Sequence, residues 1–138
     1  MKKCLLLIMA AVVTIGMLSC SSTKFVPGDN APKTFKVGDT YLGKASYYDD
    51  LLHGQVTASG DYYDLDRLTA AHRTFPFGTV VRVRNLRNNR EVTVRINDRG
   101  PKPSDRMIDL SKAAAFKLDM VGQGVQEVEI KIIELPNK

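Results

Sequence analysis

Hydrophobic and polar positions alternate along much of the chain between residues 41 and 134. Val80-Val81-Arg82-Val83-Arg84 and Val92-Thr93-Val94-Arg95-Ile96 are β-branched runs of period two, the pattern of half-buried strands. The stretch between them, Leu86-Arg87-Asn88-Asn89-Arg90, places adjacent asparagines where a tight turn needs positive φ, so the two runs predict a hairpin. Val125 to Ile133 repeats the alternation, with Val128, Ile130 and Ile132 on one face and Glu127, Glu129 and Lys131 on the other, and is expected to close the sheet. Asp109 to Leu118 carries a capping residue in Asp109 or Ser111, an alanine run of high helix propensity and Gly122 shortly beyond, which predicts one short helix. Many short strands and a single helix in under about 100 residues point to a small β-barrel.

The N-terminus follows a different pattern. Lys2 and Lys3 precede an apolar run, Leu5 to Val13, and Ile15-Gly16-Met17-Leu18-Ser19-Cys20 ends it in small residues. That is the layout of an export signal over residues 1–19, and the run is shorter than the roughly 20 apolar residues of a membrane span. Leu18-Ser19-Cys20 resembles a bacterial lipobox, which makes Cys20 the expected lipidation site; Met17 stands where leucine is usual. Cys4 would leave with the signal, so Cys20 is the remaining thiol, and acylation explains its presence in an exported chain. Residues 20–40 are polar and punctuated by Pro27-Gly28 and Ala31-Pro32, and read as a lipidated cysteine followed by a flexible tether. Residues 41–138 are the expected barrel domain.

Composition narrows the function. The 138 residues, 43% hydrophobic and 25% charged, suit one small domain and exclude a two-domain dinucleotide enzyme. Removal of residues 1–19 lowers the net charge from +5 to +3, too little for a nucleic-acid surface, so no nucleic-acid partner is expected. Two histidines without metal-ligand spacing, and no cysteine within the barrel, give no basis for a metal site. Neither a phosphate-cradling glycine loop nor a nucleophile elbow is present.

Candidate chemistry gathers in three places. Strict alternation from Val92, Val94 and Ile96 carries Asp98 to the same inward face, at a strand end that Gly100-Pro101 terminates. A half-desolvated carboxyl there is a candidate acid or base, or else a turn residue capping backbone N–H groups. His72 closes the small, apolar stretch Leu68 to His72, where a histidine is either functional or a buried hydrogen-bonding residue. Asp61, beside Tyr62 and Tyr63, lies in a loop with aromatic neighbours of the kind that flank sugar sites, and His53 belongs to the same loop.

Taken together these segments are similar to rare lipoprotein A, the family of septal-ring lytic transglycosylases. The resemblance runs from about Leu42 to Ile132. It is carried by Ala45-Ser46-Tyr47-Tyr48, His53-Gly54, Thr57-Ala58-Ser59-Gly60, Leu68 to His72, Val81 to Leu86, Asn97-Asp98-Arg99-Gly100-Pro101 and Arg106 to Ala115. It implies a mainly β fold, a six-stranded double-psi β-barrel with one or two short helices. It also implies endolytic cleavage of peptidoglycan glycan strands, stripped of stem peptides, between N-acetylmuramic acid and N-acetylglucosamine. The products would carry 1,6-anhydro ends, and no cofactor is needed.

Residue by residue, the resemblance implies catalytic roles for Asp98, His72 and Asp61, with Tyr47, Tyr48, His53, Thr57, Tyr62 and Arg99 in substrate binding. Asp61 replaces the family's glutamate. The carboxylate is kept but shortened by one methylene, and misplacement by about 1 Å can cost on the order of 100-fold in rate. A non-catalytic peptidoglycan-binding lipoprotein is therefore the competing expectation. The implied partners are glycan strands, the membrane through the N-terminal lipid, and cell-division or cell-wall proteins. The implied location is the bacterial cell envelope, lipid-anchored at the outer membrane and facing the periplasm. With Lys138 last, no peptidoglycan-binding domain is expected after the barrel.

Overall fold

The computed structural model describes residues 34–137 together with the strand Thr23–Phe25. The expected export signal and Cys20 lie outside the described residues. Strands β1 (Thr23–Phe25), β2 (Thr40–Tyr47), β3 (Thr69–His72), β4 (Val80–Asn85), β5 (Glu91–Asp98), β6 (Ile108–Leu110) and β7 (Gln126–Glu134) form one sheet. Its order is β1-β2-β6-β3-β5-β4-β7, and an antiparallel β2–β7 pairing closes β2 to β7 into a six-stranded barrel. Within the barrel two of the pairings are parallel, β2 with β6 and β3 with β5, and they join segments far apart in the chain.

The predicted hairpin is β4–β5, with Val81 opposite Val94 and Val83 opposite Val92. Asn89 supplies the positive φ of its turn, at 60°. β7 buries Val128, Ile130 and Ile132 as the alternation requires, and these pack with Val81, Val83, Val94, Ile96, Ile108 and Leu110 in a continuous core. Truncating any of the larger members to alanine would cost about 2 to 5 kcal/mol.

The helix α1 spans Lys112–Lys117, and Ser111 is its cap, its hydroxyl accepting from the Ala114 N–H at 3.3 Å. Asp109, the other capping candidate, is instead the middle residue of β6. The hairpin turn holds the far end of the helix: Asn85 Nδ2 and Asn88 Nδ2 both donate to the Leu118 carbonyl, at 3.1 and 2.9 Å.

Order also extends into the segment read as a tether. β1 pairs in parallel with the first half of β2, Thr23 opposite Thr40. Phe35 stacks edge-on against the buried Phe75, with ring centroids 4.9 Å apart, so the packed unit begins upstream of residue 41. Among the described residues no helix is long and apolar enough to cross a membrane.

Candidate active site

β5 ends in an irregularity that decides where its carboxylate points. Ala70 lies opposite Ile96, but Ala71 lies opposite Asp98, so Asn97 is an extra residue on β5. Such a bulge breaks the alternation. Ala71 is also the partner of Asp109, whose neighbours Ile108 and Leu110 fill the core. Asp98 therefore leaves the inward face that strict alternation from Ile96 assigns to it. It lies on the outer face, at the barrel rim and half-buried.

Three donors converge on this carboxylate. Tyr48 Oη donates to Oδ2 at 2.6 Å, and the backbone N–H groups of Ala58 and Arg99 each donate to Oδ1 at 2.8 Å. An oxygen pair that only accepts is the hydrogen-bonding pattern of an ionised carboxylate. Burial and the bond to Asp98 push the Tyr48 phenol far above its usual pKa, so it remains a donor. Tyr48 is held in turn by an edge-on contact with Tyr63, centroids 4.6 Å apart, while Tyr63 Oη accepts from the Lys112 N–H.

The loop over the site is built by its own sequence. In Thr57-Ala58-Ser59-Gly60 the Gly60 N–H returns to the Thr57 carbonyl at 3.0 Å, and Gly60 adopts φ +93°, which favours glycine. Thr57 is buried, its hydroxyl 3.0 Å from that of Ser59. The loop docks on β5 through the Ser59 N–H to the Asn97 carbonyl, and the Asn97 side chain reaches Asp61 Oδ2 at 3.3 Å. Asp61 is exposed, joined to Asp98 through the bulge residue between them.

The remaining sequence candidates occupy other positions. His72 is buried on the core face of β3, its ring stacked 3.6 Å from that of Phe75. Its Nδ1 accepts from the N–H groups of Thr74 and Phe75, which fixes the neutral tautomer protonated at Nε2. Burial, then Arg73 and Arg99, hold its pKa down at about 3. The Arg99 guanidinium donates to the carbonyls of His72 and Phe75 and lies 3.8 Å over the Phe77 ring, so its hydrogen bond to Asp98 is made by its backbone, while the Asp98 charge also acts on the guanidinium. Tyr47 Oη accepts from the Gly122 N–H. His53 Nδ1 accepts from the Leu65 N–H and braces the loop. Tyr62 is 70% exposed, whereas Tyr63 is buried.

Sequence reasoning missed Asn97 and the Ala58 N–H. A bulge residue and a backbone donor leave no side-chain signal, although the run Asn97-Asp98 at a strand end marks where a ladder can break.

The arrangement is that of a closed double-psi β-barrel bearing a triply hydrogen-bonded carboxylate on its rim, under a short docked loop. Residues 40–130 match the sequence profile of the lytic transglycolase family, and the chain belongs to that family.

Among similar proteins is the endolytic peptidoglycan transglycosylase RlpA of Campylobacter jejuni. It is 48% identical over 102 residues, covering 74% of this chain and 37% of the relative. A probable endolytic peptidoglycan transglycosylase RlpA of Treponema pallidum is 52% identical over 103 residues, covering 73% and 32%. An endolytic peptidoglycan transglycosylase RlpA of Neisseria meningitidis serogroup B is 38% identical over 148 residues, covering 96% and 62%. The chain thus spans between about a third and three-fifths of the length of these relatives. In fold it is similar to the Streptomyces papain inhibitor, with a TM-score of 0.61 and 26% identity over 73% of this chain and 100% of that one. The expansin of Clavibacter michiganensis shares the fold, with a TM-score of 0.56 and 21% identity over 72% of this chain and 52% of that one.

Proposed function

We propose that this protein is a peptidoglycan lytic transglycosylase, with Asp98 as the acid and base. The observation that carries the reading is the triply held carboxylate at the barrel rim, in a chain whose relatives bear that activity in their names. The protonated Asp98 gives its proton to the glycosidic oxygen as the C1–O bond breaks, leaving N-acetylglucosamine with a free hydroxyl. The C6 hydroxyl of N-acetylmuramic acid then bonds to C1, and its proton returns to Asp98. One carboxyl serves both steps, so no second acid has to activate water as in hydrolytic glycosidases. Tyr48 and the two N–H groups steady the ionised form between the steps.

Asp61 and the exposed Tyr62 border the glycan, Asp61 near the developing charge at C1 and Tyr62 against a sugar face. His72 supports the chain turn behind Asp98 through Arg99. The preferred substrate is glycan stripped of stem peptides. Acylation at Cys20 would hold the barrel on a membrane of the cell envelope, facing the periplasm, beside cell-wall or cell-division proteins.

Mass analysis of products after incubation with peptide-stripped glycan tests the reading. Anhydro-ended fragments from the wild type, and none from Asp98→Asn, are expected. Glycan retained without cleavage by the wild type would instead identify a binding module, the outcome that the shortened acid at position 61 would explain.

A further inference from the structure

The tripeptide Ile108-Asp109-Leu110 puts an acid between two core residues. In β6 that spacing turns Asp109 to the outer face, the face of Asp98. Register extends the relation into a row across four strands. Ser46 of β2 is opposite Asp109, Asp109 is opposite Ala71, and Ala71 is opposite Asp98. Asp109 and Asp98 are thus two strand spacings apart, about 10 Å between backbones. In that row the strand between them contributes the small Ala71 methyl. Tyr48, two residues beyond Ser46, donates to Asp98, and the charges of both acids act on its phenol.

Asp109 has the environment of neither a solvated strand residue nor a tight ion pair. Its side chain is only 14% exposed, and its buried Oδ1 has no hydrogen-bond partner. Arg106 Nη1 stops 3.7 Å from that oxygen and donates instead to Ser46 Oγ, at 2.5 Å. The groups that act on Asp109 are Arg106 from the loop before β6, Ser46 from β2, Arg73 after β3 and Asp98 from β5. Burial raises its pKa, Arg106, Ser46 and Arg73 oppose that rise, and Asp98 adds to it.

We propose that Asp109 is a positioning residue of this site, a second carboxyl coupled electrostatically to Asp98 across Ala71 and through the Tyr48 phenol that Asp98 binds. The inference rests on the transglycosylase reading. In that cycle Asp98 alternates between protonated and ionised forms. A neighbouring carboxylate acts on that charge across the gap that Ala71 leaves. Asp109 exchanges no proton with the glycan, and its charge biases the form in which Asp98 meets the substrate.

Asp109→Asn is nearly isosteric and removes the charge. The expected result on peptide-stripped glycan is a fall in kcat of about tenfold or more. KM should stay within about threefold, the pH–rate profile should be displaced, and the thermal midpoint should remain within a few degrees of wild type. A folded variant with wild-type kcat and a superimposable profile overturns the proposal. Ser46→Ala, which removes the hydroxyl beside Asp109, should lower kcat in the same way by a smaller factor, and provides the answer if Asp109→Asn fails to fold.

Carbon-13 titration of the carboxyls needs no cleavage at all. The Asp109 midpoint should lie above the ordinary aspartate value in the wild type and move down in Asp98→Asn. A midpoint that does not move overturns the coupling. A wild type that cleaves no glycan would sink the transglycosylase reading, while the titration would still decide whether the two acids interact.

Discussion

Acidification weighs His72 against the rest of the barrel. Its Nδ1 accepts two backbone N–H groups, its ring lies against Phe75, and burial beside Arg73 and Arg99 holds its pKa at about 3. In the unfolded chain the same imidazole titrates near 6.5. Below that pH the unfolded chain binds a proton that the folded barrel refuses, so stability falls as the pH drops from about 6.5 towards 3, and this loss is absent above the window. Each pH unit inside it costs about 1.4 kcal/mol, so at pH 5 the loss is about 2 kcal/mol. Typical domains have only about 5 to 15 kcal/mol in total.

His72→Asn keeps an acceptor near the position of Nδ1 and removes both the ring and its titration. At pH 7.5 the lost packing should destabilise the variant by about 2 to 4 kcal/mol. Because asparagine does not titrate, the variant escapes the acid penalty. The gap between the two proteins in urea unfolding should therefore narrow by about 2 kcal/mol between pH 7.5 and pH 5, with acids common to both cancelling in the difference. A gap that stays constant across that range would refute the burial of a neutral imidazole.

Tyr48→Phe removes the donor to Asp98 Oδ2, a hydrogen bond to a charged group worth about 1.5 to 3 kcal/mol, and should slow glycan cleavage roughly 10- to 100-fold with the barrel still folded. Wild-type turnover in that variant would remove the phenol from the mechanism. Asp61→Ala should lower the rate, and Asp61→Glu should change it in one direction or the other, since the longer side chain moves the carboxyl by about one methylene from its place beside Asn97. Unchanged rates for both would take position 61 out of the site. Cys20→Ala should abolish fatty-acid labelling and release the protein from membranes, and labelling that persists would disprove acylation at that residue.

The hairpin and β7 were legible because each buries one face and solvates the other, so their side chains record period two directly. β3 is buried at all four positions and β6 is three residues long, and neither writes a period into the sequence. For that reason Asp109 reads as a helix cap until its strand partners are known. Asp98 was legible as a candidate acid from its place at a strand end. Its direction was not, because the bulge at Asn97 is fixed by parallel pairing with β3, a contact between distant segments. Arg99 shows the same limit: its guanidinium is spent on two carbonyls that no local pattern places near it.

Two of the three donors that hold Asp98 come from positions 40 and 50 residues earlier in the chain, and they reach it only after β2, β6, β3 and β5 have been laid side by side. On the proposed reading, glycan cleavage is thus a property of the closed barrel and of no fragment of it. A nascent chain, or one threaded through a pore, has the aspartate but nothing to aim it. On that reading such a chain leaves glycan intact until its last strands are in place, and it loses the activity again as soon as those strands part.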